Sequence, residues 1–120
     1  FLDNTSISDI SALSGLTNLD HLDVGYNSIS DVSALSGLTS LTWLNLRNSS
    51  NLTDISALSG LTNLTWLDLA NNPSLTDIQP LLDNTGLGTG DTVYLESTNV
   101  SCTDVTALRT MGVTVYSDCP

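Results

Sequence analysis

One stretch of text recurs along this chain and constrains its fold more than any other feature. It reads DISALSGLTNLDHLDV at 9–24, DVSALSGLTSLTWLNL at 31–46 and DISALSGLTNLTWLDL at 54–69. A degenerate copy starts at Asp77 and a partial copy at Asp104, so the leading aspartates recur every 22 to 27 residues. Repetition at this period predicts a solenoid, in which each unit is too short to bury its own apolar face and its neighbours bury it instead.

The spacing of the leucines identifies the class of solenoid. The first unit reads Leu19-x-x-Leu22-x-Val24-x-x-Asn27, which fits L-x-x-L-x-L-x-x-N, and the units at 41–46 and 64–72 repeat the pattern. With Asp-Ile-Ser-Ala-Leu and Gly-Leu-Thr-Asn-Leu between the strands, the chain resembles the leucine-rich repeat family, and most of all its bacterial, internalin-like type. The resemblance implies an α/β solenoid: a right-handed coil with a parallel concave sheet, short 3₁₀ or helical turns on the convex side, and a C-terminal cap.

The repeats predict one leucine-rich repeat domain over 1–120. It divides into a partial first repeat (1–8), full repeats (9–30, 31–53 and 54–76), a degenerate repeat (77–103) and a C-terminal cap (104–120). Residues 1–8 align with 23–30, so we expect the chain to begin in the middle of a strand, without an N-terminal cap. Either repeats precede Phe1, or the open end packs against something.

Each full unit predicts the same local structure. The leading aspartate is expected at a helix N-cap, the glycine of Ser-Gly-Leu at the C-cap, and a strand of about five residues follows. Asn27 and Asn72 are expected to bond the backbone of adjacent turns. The inward side chains that supply the stability are predicted to be those of Ile10, Leu13, Leu16, Leu19, Leu22, Val24, Ile29 and their equivalents.

Two cysteines, Cys102 and Cys119, flank the predicted cap. We expect a disulfide that pins the last helix and strand to the fourth unit, and such a bond implies an oxidising compartment. The alternative is two buried thiols in a cytosolic protein. A metal site is disfavoured, because the one histidine of the chain, His21, is distant in sequence.

In a sheet of this kind, the residues between the strand leucines face solvent. The first predicted column is His21, Trp43, Trp66 and Thr92, and the second is Asp23, Asn45, Asp68 and Tyr94; Arg47 and Tyr26 belong to columns beyond them. The two tryptophans should stand about 4.8 Å apart. Because Trp, Tyr and Arg dominate binding hot spots, the columns predict a ligand-binding stripe. The alternative is that duplication of one repeat copied its tryptophan, and that stacking is its only role.

The acidic residues of the repeats have more than one interpretation. Asp23 and Asp68 flank Asn45 and could hold a cation or a basic partner, but their expected separation of about 10 Å is too large for one ion. A solvated acidic face is therefore the favoured interpretation. For the leading aspartates, capping is favoured over calcium binding.

Charge excludes several classes of function. Two basic residues against 13 acidic ones give a net charge of −11, which disfavours nucleic acid and anionic membranes as partners. No apolar run is long enough to span a membrane. Abundant Ser, Thr and Asn without any Lys favour a secreted or cell-surface protein. No catalytic set, phosphate loop or metal-ligand cluster is present, so no enzyme activity, cofactor or metal is expected.

The resemblance implies a non-catalytic recognition or adhesion module that binds a protein or glycan through its concave face. The alternative is a building block that assembles into a filament, a surface layer or a dimer through its uncapped edge at Phe1, since an open strand edge templates pairing. A further interpretation concerns the serine and threonine ladders, which would order water or contact a crystalline surface unless they are only polar filler.

Overall fold

The computed structural model describes residues 9–49 and 51–120, and it confirms the solenoid. Its parallel sheet has five strands in chain order, each paired with the next. They are β1 (His21–Asp23), β2 (Trp43–Asn45), β3 (Trp66–Asp68), β4 (Thr92–Tyr94) and β5 (Thr114–Tyr116). The convex side carries 3₁₀ turns at Ser11–Leu13, Ser33–Leu35 and Ser56–Gly60, followed by helices α1 (Gln79–Leu82) and α2 (Cys102–Thr110).

The strands are shorter than predicted, because side-chain oxygens accept some of the backbone N–H groups that would otherwise bond to a neighbouring strand. Each regular strand has three residues. Pairing continues for one or two bonds beyond it, as in the bond from Val24 N to Asn45 O at 3.1 Å. The Arg47 N–H, however, donates to its neighbour Asn45 Oδ1 at 2.9 Å, where a longer strand would donate to the preceding strand. The chain then leaves the sheet through a left-handed residue, Asn48 (φ 59°).

The core is one continuous column of leucines and valines along the solenoid. Its sheet layer is built from one buried apolar residue per strand: Leu22, Leu44, Leu67, Val93 and Val115. In the first full repeat (9–30) the inward prediction is confirmed for Ile10, Leu22, Val24 and Ile29, which are buried. It is wrong for Leu16, which is 48% exposed, and Leu13 and Leu19 are only partly buried. The equivalent leucines of later repeats, such as Leu38, are fully buried. The difference arises because no described residues stack on this side of the first repeat.

The leading aspartates bond the turns as expected, but from one position earlier. In four units the carboxylate accepts the backbone N–H two residues later, at 2.8–2.9 Å. The residue at the N-cap itself is the following aliphatic one, such as Ile10. The serine backbone N–H in this bond holds the pKa of Asp9, Asp31 and Asp54 below the ordinary value.

The capping role predicted for Asp104 is wrong. Helix α2 begins at Cys102, and its N-cap is Ser101, whose Oγ accepts the Asp104 N–H at 3.2 Å. Asp104 therefore lies within the first turn, where a carboxylate favours the helix N-terminus.

Asn72 ties consecutive turns together as predicted, whereas Asn27 Nδ2 donates within its own turn, to Val24 O at 3.0 Å and Gly25 O at 3.2 Å. Asn72 Nδ2 donates to Leu46 O at 3.0 Å and Leu69 O at 2.8 Å, and its Oδ1 accepts the Ser49 N–H at 2.9 Å. Ser49 and Thr98 take the asparagine's place in their own units. Each of these hydroxyls donates to the carbonyl three residues earlier, at 3.1 and 2.8 Å.

The degenerate repeat is anchored to its neighbour more tightly than its glycine-rich sequence suggests. Asn84 is fully buried and donates to Leu58 O at 2.9 Å and Leu61 O at 3.1 Å. Two residues later, Gly86 lies so close to the backbone of Thr62 that an added Cβ would stand 1.9 Å from Thr62 O. The loop therefore packs on the third repeat through its backbone.

The C-terminal cap contains the predicted disulfide. Cys102 and Cys119 are joined, with their Cα atoms 5.6 Å apart. The expected partial first repeat and its edge at 1–8 lie outside the described residues. Within the described ranges, no helix is long and apolar enough to cross a membrane.

Candidate functional site

Five aromatic rings form a continuous ladder on the solvent side of the sheet, one from each strand. His21 stacks on Trp43 with centroids 4.0 Å apart, and Trp43 stacks on Trp66 at 4.4 Å, both pairs being within 4° of parallel. Trp66 meets Tyr94 in a tilted contact at 5.3 Å, and Tyr94 stacks on Tyr116 at 4.9 Å. We call these five residues the aromatic ladder.

The sequence places four members of this ladder and misses the fifth. Strand register puts His21, Trp43 and Trp66 in one column with Thr92, as predicted. Tyr94 belongs to the neighbouring column, beside Asp68, but its ring reaches across to Trp66. Tyr116 was missed, although it continues the Tyr94 column into β5. Extending that column by one strand would have found it.

The ladder lies outside the core, with the ring edges turned toward solvent. His21 is exposed and Tyr116 is 49% exposed, whereas Trp43, Trp66 and Tyr94 are partly buried. Partial burial follows from stacking, because each inner ring is covered on both sides by its neighbours. Stacked and tilted ring pairs at these distances also stabilise the sheet beyond their area burial, by about 0.5–1.5 kcal/mol each.

The second predicted column is a hydrogen-bonded chain rather than a solvated acidic face. Asn45 Nδ2 donates to Asp23 Oδ1 at 3.0 Å. Asp68 is only 5% exposed, so the prediction of a solvated carboxylate is wrong there. Its Oδ1 accepts the Ala70 N–H at 2.9 Å and its Oδ2 pairs with Arg47 at 3.3 Å. The carboxylate is buried because these two donors replace water.

Both cations of the chain are bound to its own acceptors. Burial is the largest single influence on the pKa of Arg47 and lowers it, but Asp68 and Tyr26 together outweigh burial through their charge and hydrogen bonds and raise that pKa. Arg109 donates to Pro120 O at 2.7 Å and to Val115 O at 3.1 Å. Since the chain has only these two basic residues against 13 acidic ones, its outer surface is strongly negative.

The remaining predicted contact residue, Tyr26, lies outside the regular strands. It is 45% exposed on the turn after β1, in the left-handed conformation (φ 57°). Its N–H donates to Arg47 O at 2.7 Å, which fixes this turn to the next.

Other parts of the described surface offer less to a ligand. Across 9–49 and 51–120, no group of three or more His, Cys, Asp or Glu side chains is arranged to hold a metal ion. A groove on the convex side is lined mainly by serines and aspartates, among them Ser30, Asp31, Ser33, Asp54 and Ser56. It lies away from the aromatic ladder.

Comparisons with known proteins agree with this architecture. Family models described as "Leucine rich repeat" and "Leucine Rich repeats (2 copies)" match residues 1–50 and 39–83. The crystal structure of the internalin InlF from Listeria monocytogenes is similar over 95% of this chain and 33% of its own, with 32% identity and a TM-score of 0.79.

A second internalin of that organism shares the fold. The functional domain of InlJ, which includes a cysteine ladder, is similar over 93% of this chain and 27% of its own, with 24% identity and a TM-score of 0.58. The chain thus spans about a third of the length of InlF. No match was found among curated proteins.

Proposed function

Because this chain belongs to the leucine-rich repeat family and is of the bacterial internalin-like type, we propose that it is a non-catalytic recognition or adhesion module. In this proposal it is secreted or displayed at a cell surface, and it binds a partner protein through the aromatic ladder of its concave face. The observation that carries the proposal is the continuity of that ladder across five strands. Exposed aromatic surface of this extent is typical of an interaction site. The disulfide accords with an oxidising location.

The stacking geometry favours a protein over a glycan as the partner. A sugar packs its apolar C–H face on an open aromatic face. Trp43 is stacked on both faces, by His21 and Trp66, while Trp66 is stacked on one face and meets Tyr94 on the other side at a tilt of 54°. The inner rings therefore offer mainly their edges. Ring edges carry the positive end of the quadrupole, so they prefer the faces of other aromatic rings and electron-rich acceptors. A protein segment presents both groups.

The net charge of the chain indicates which partner surfaces it can bind. With Arg47 and Arg109 bound internally and a net charge of −11, an acidic partner would be repelled. A neutral or basic contact surface fits the potential of this chain and would associate faster at low ionic strength.

The experiment that tests the proposal is a paired screen on an array of extracellular protein domains and a glycan array. We expect the chain to bind on the protein array. Trp43→Ala/Trp66→Ala should weaken each hit by at least about thirtyfold, the equivalent of one hot-spot residue. The control is Ser36→Ala, a substitution at an exposed site on the opposite side.

Two results would contradict the proposal: binding on the glycan array alone, or hits that the tryptophan variant retains. Thermal melting checks that the variant is folded, and Trp43→Leu/Trp66→Leu replaces it if it is not. Loss of stability without loss of binding would show that stacking is the only role of the indoles.

Self-assembly through the N-terminal edge is a second candidate. The predicted edge at Phe1 lies outside the described residues, but the adjoining end of the described stack exposes Leu16 (48%). Assembly at this end predicts a mass in light scattering that rises with concentration and falls back in Leu16→Asp. A constant monomer mass over a hundredfold range, about 1 to 100 μM, would remove this candidate.

A further inference from the structure

The last turn of the solenoid is closed by a strap, residues 117–120. In earlier turns, the left-handed residue after each strand donates its N–H to a backbone carbonyl of the next turn. Tyr26, Asn48 and Asn71 make this bond at 2.7, 2.9 and 2.8 Å. The fourth such residue, Ser97, donates instead to Asp118 Oδ2 at 2.7 Å. The strap carboxylate therefore takes the place of a further repeat.

Arg109 of α2 fastens the strap over the edge of the sheet. Its Nη2 donates to Val115 O at 3.1 Å, and its Nη1 donates to Pro120 O at 2.7 Å. Backbone groups alternate in direction along β5, so the Val115 carbonyl points away from β4. It lies on the outer edge of the sheet, where an added strand would bond. The guanidinium thus blocks an edge that would otherwise template pairing.

The disulfide is the one covalent tie on the strap, and it lies at the surface. Cys102, the first residue of α2, is exposed, and Cys119 is half-buried. Exposed disulfides are more open to thiol exchange than buried ones. Tyr116, the last ring of the aromatic ladder, comes immediately before the strap and stacks on Tyr94. The bond therefore holds one end of the concave surface as well as the cap.

We propose that the Cys102–Cys119 disulfide is a redox-controlled latch on the C-terminal end of the aromatic ladder. A dithiol reductant gives two electrons and two protons to the bond, which leaves two cysteine thiols and a cyclic disulfide of the reductant. The strap then opens, the edge of β5 becomes accessible and Tyr116 separates from Tyr94. A role for this change in recognition rests on the proposed function, but the latch itself needs no ligand.

The opening is local because of how a solenoid is stabilised. Each repeat depends on its own core and its nearest neighbours, so loss of a terminal tie need not spread. The leucines of β2 and β3, Leu44 and Leu67, are fully buried two or three turns away. Removing a cross-link between positions 17 apart should raise the open population of the strap on the order of a hundredfold.

Hydrogen–deuterium exchange before and after treatment with dithiothreitol tests the latch, once mass spectrometry shows two free thiols. We expect exchange at the backbone N–H groups of Ser97, Tyr116 and Cys119 to accelerate by roughly a hundredfold. Peptides containing β2 and β3 should be unchanged. Cys102→Ser/Cys119→Ser should exchange fast at the same amides without reductant and show no response to it.

Unchanged exchange in the reduced chain would overturn the latch, and so would uniform acceleration through all repeats. The exchange experiment is independent of the array screen, because it needs no binding partner and the screen needs no reductant. A failed latch leaves the recognition proposal standing, and the reverse also holds.

Discussion

Leu38→Ala should lower the free energy of unfolding by about 2–5 kcal/mol, whereas Leu16→Ala should change it by only about 0.5 kcal/mol. The two leucines occupy the same position in consecutive repeats, but Leu38 is fully buried and Leu16 is 48% exposed. Truncation of Leu38 leaves a cavity between two stacked turns, while truncation of Leu16 removes a side chain already in water. Urea unfolding followed by circular dichroism measures both variants.

Comparing Leu38→Ala with Leu16→Ala is informative because both variants replace leucine with alanine and differ only in how buried the leucine is. Equal losses of stability would mean that the first repeat is covered as well as the second, contrary to the described burial. A small loss at both positions would contradict the shared leucine core itself. The slope of the denaturant dependence must stay constant, since a solenoid can unfold in parts.

Gly86→Ala should destabilise the chain by about 1–3 kcal/mol or more, because its methyl group has no space. The added Cβ would stand 1.9 Å from Thr62 O and 2.6 Å from Thr62 C, both backbone atoms. The loop must therefore move off the third repeat, which also strains the bonds from Asn84 to Leu58 O and Leu61 O. Thermal unfolding should show a melting temperature lower by several degrees.

Gly37→Ala is the matched control. Nothing lies within 4 Å of a Cβ at this position, so the change should be neutral or slightly stabilising, by up to about 1 kcal/mol. Similar melting temperatures for the two variants would contradict the close contact between the degenerate repeat and the third repeat.

Much of this fold could be predicted from the sequence, because the repeats provide their own alignment. Near-identical text at a nearly constant period places Leu22, Leu44 and Leu67 in one buried column and Trp43 beside Trp66, without any long-range inference. Register is the hardest property of a sheet to predict, and here duplication supplies it. The disulfide could be predicted because the two cysteines of the chain both lie close to the cap.

The remaining differences come from contacts that no repeat pattern records. Asp68 is buried because Arg47, a residue without a counterpart in the other repeats, covers it. Tyr94 contacts Trp66 across two columns, since a large ring reaches a diagonal neighbour. Leu16 is exposed because burial depends on a layer beyond the repeat, not on the residue.

Hydroxyl-radical footprinting of a complex with a protein hit from the array is the most direct test of recognition through the concave face. Recognition through the aromatic ladder predicts that oxidation of Trp43, Trp66 and Tyr116 falls when the partner binds. Oxidation of Leu16 and Met111, away from the ladder, should stay at the level of the free chain. Unchanged oxidation of the three aromatic residues, with protection elsewhere on the chain, would contradict it.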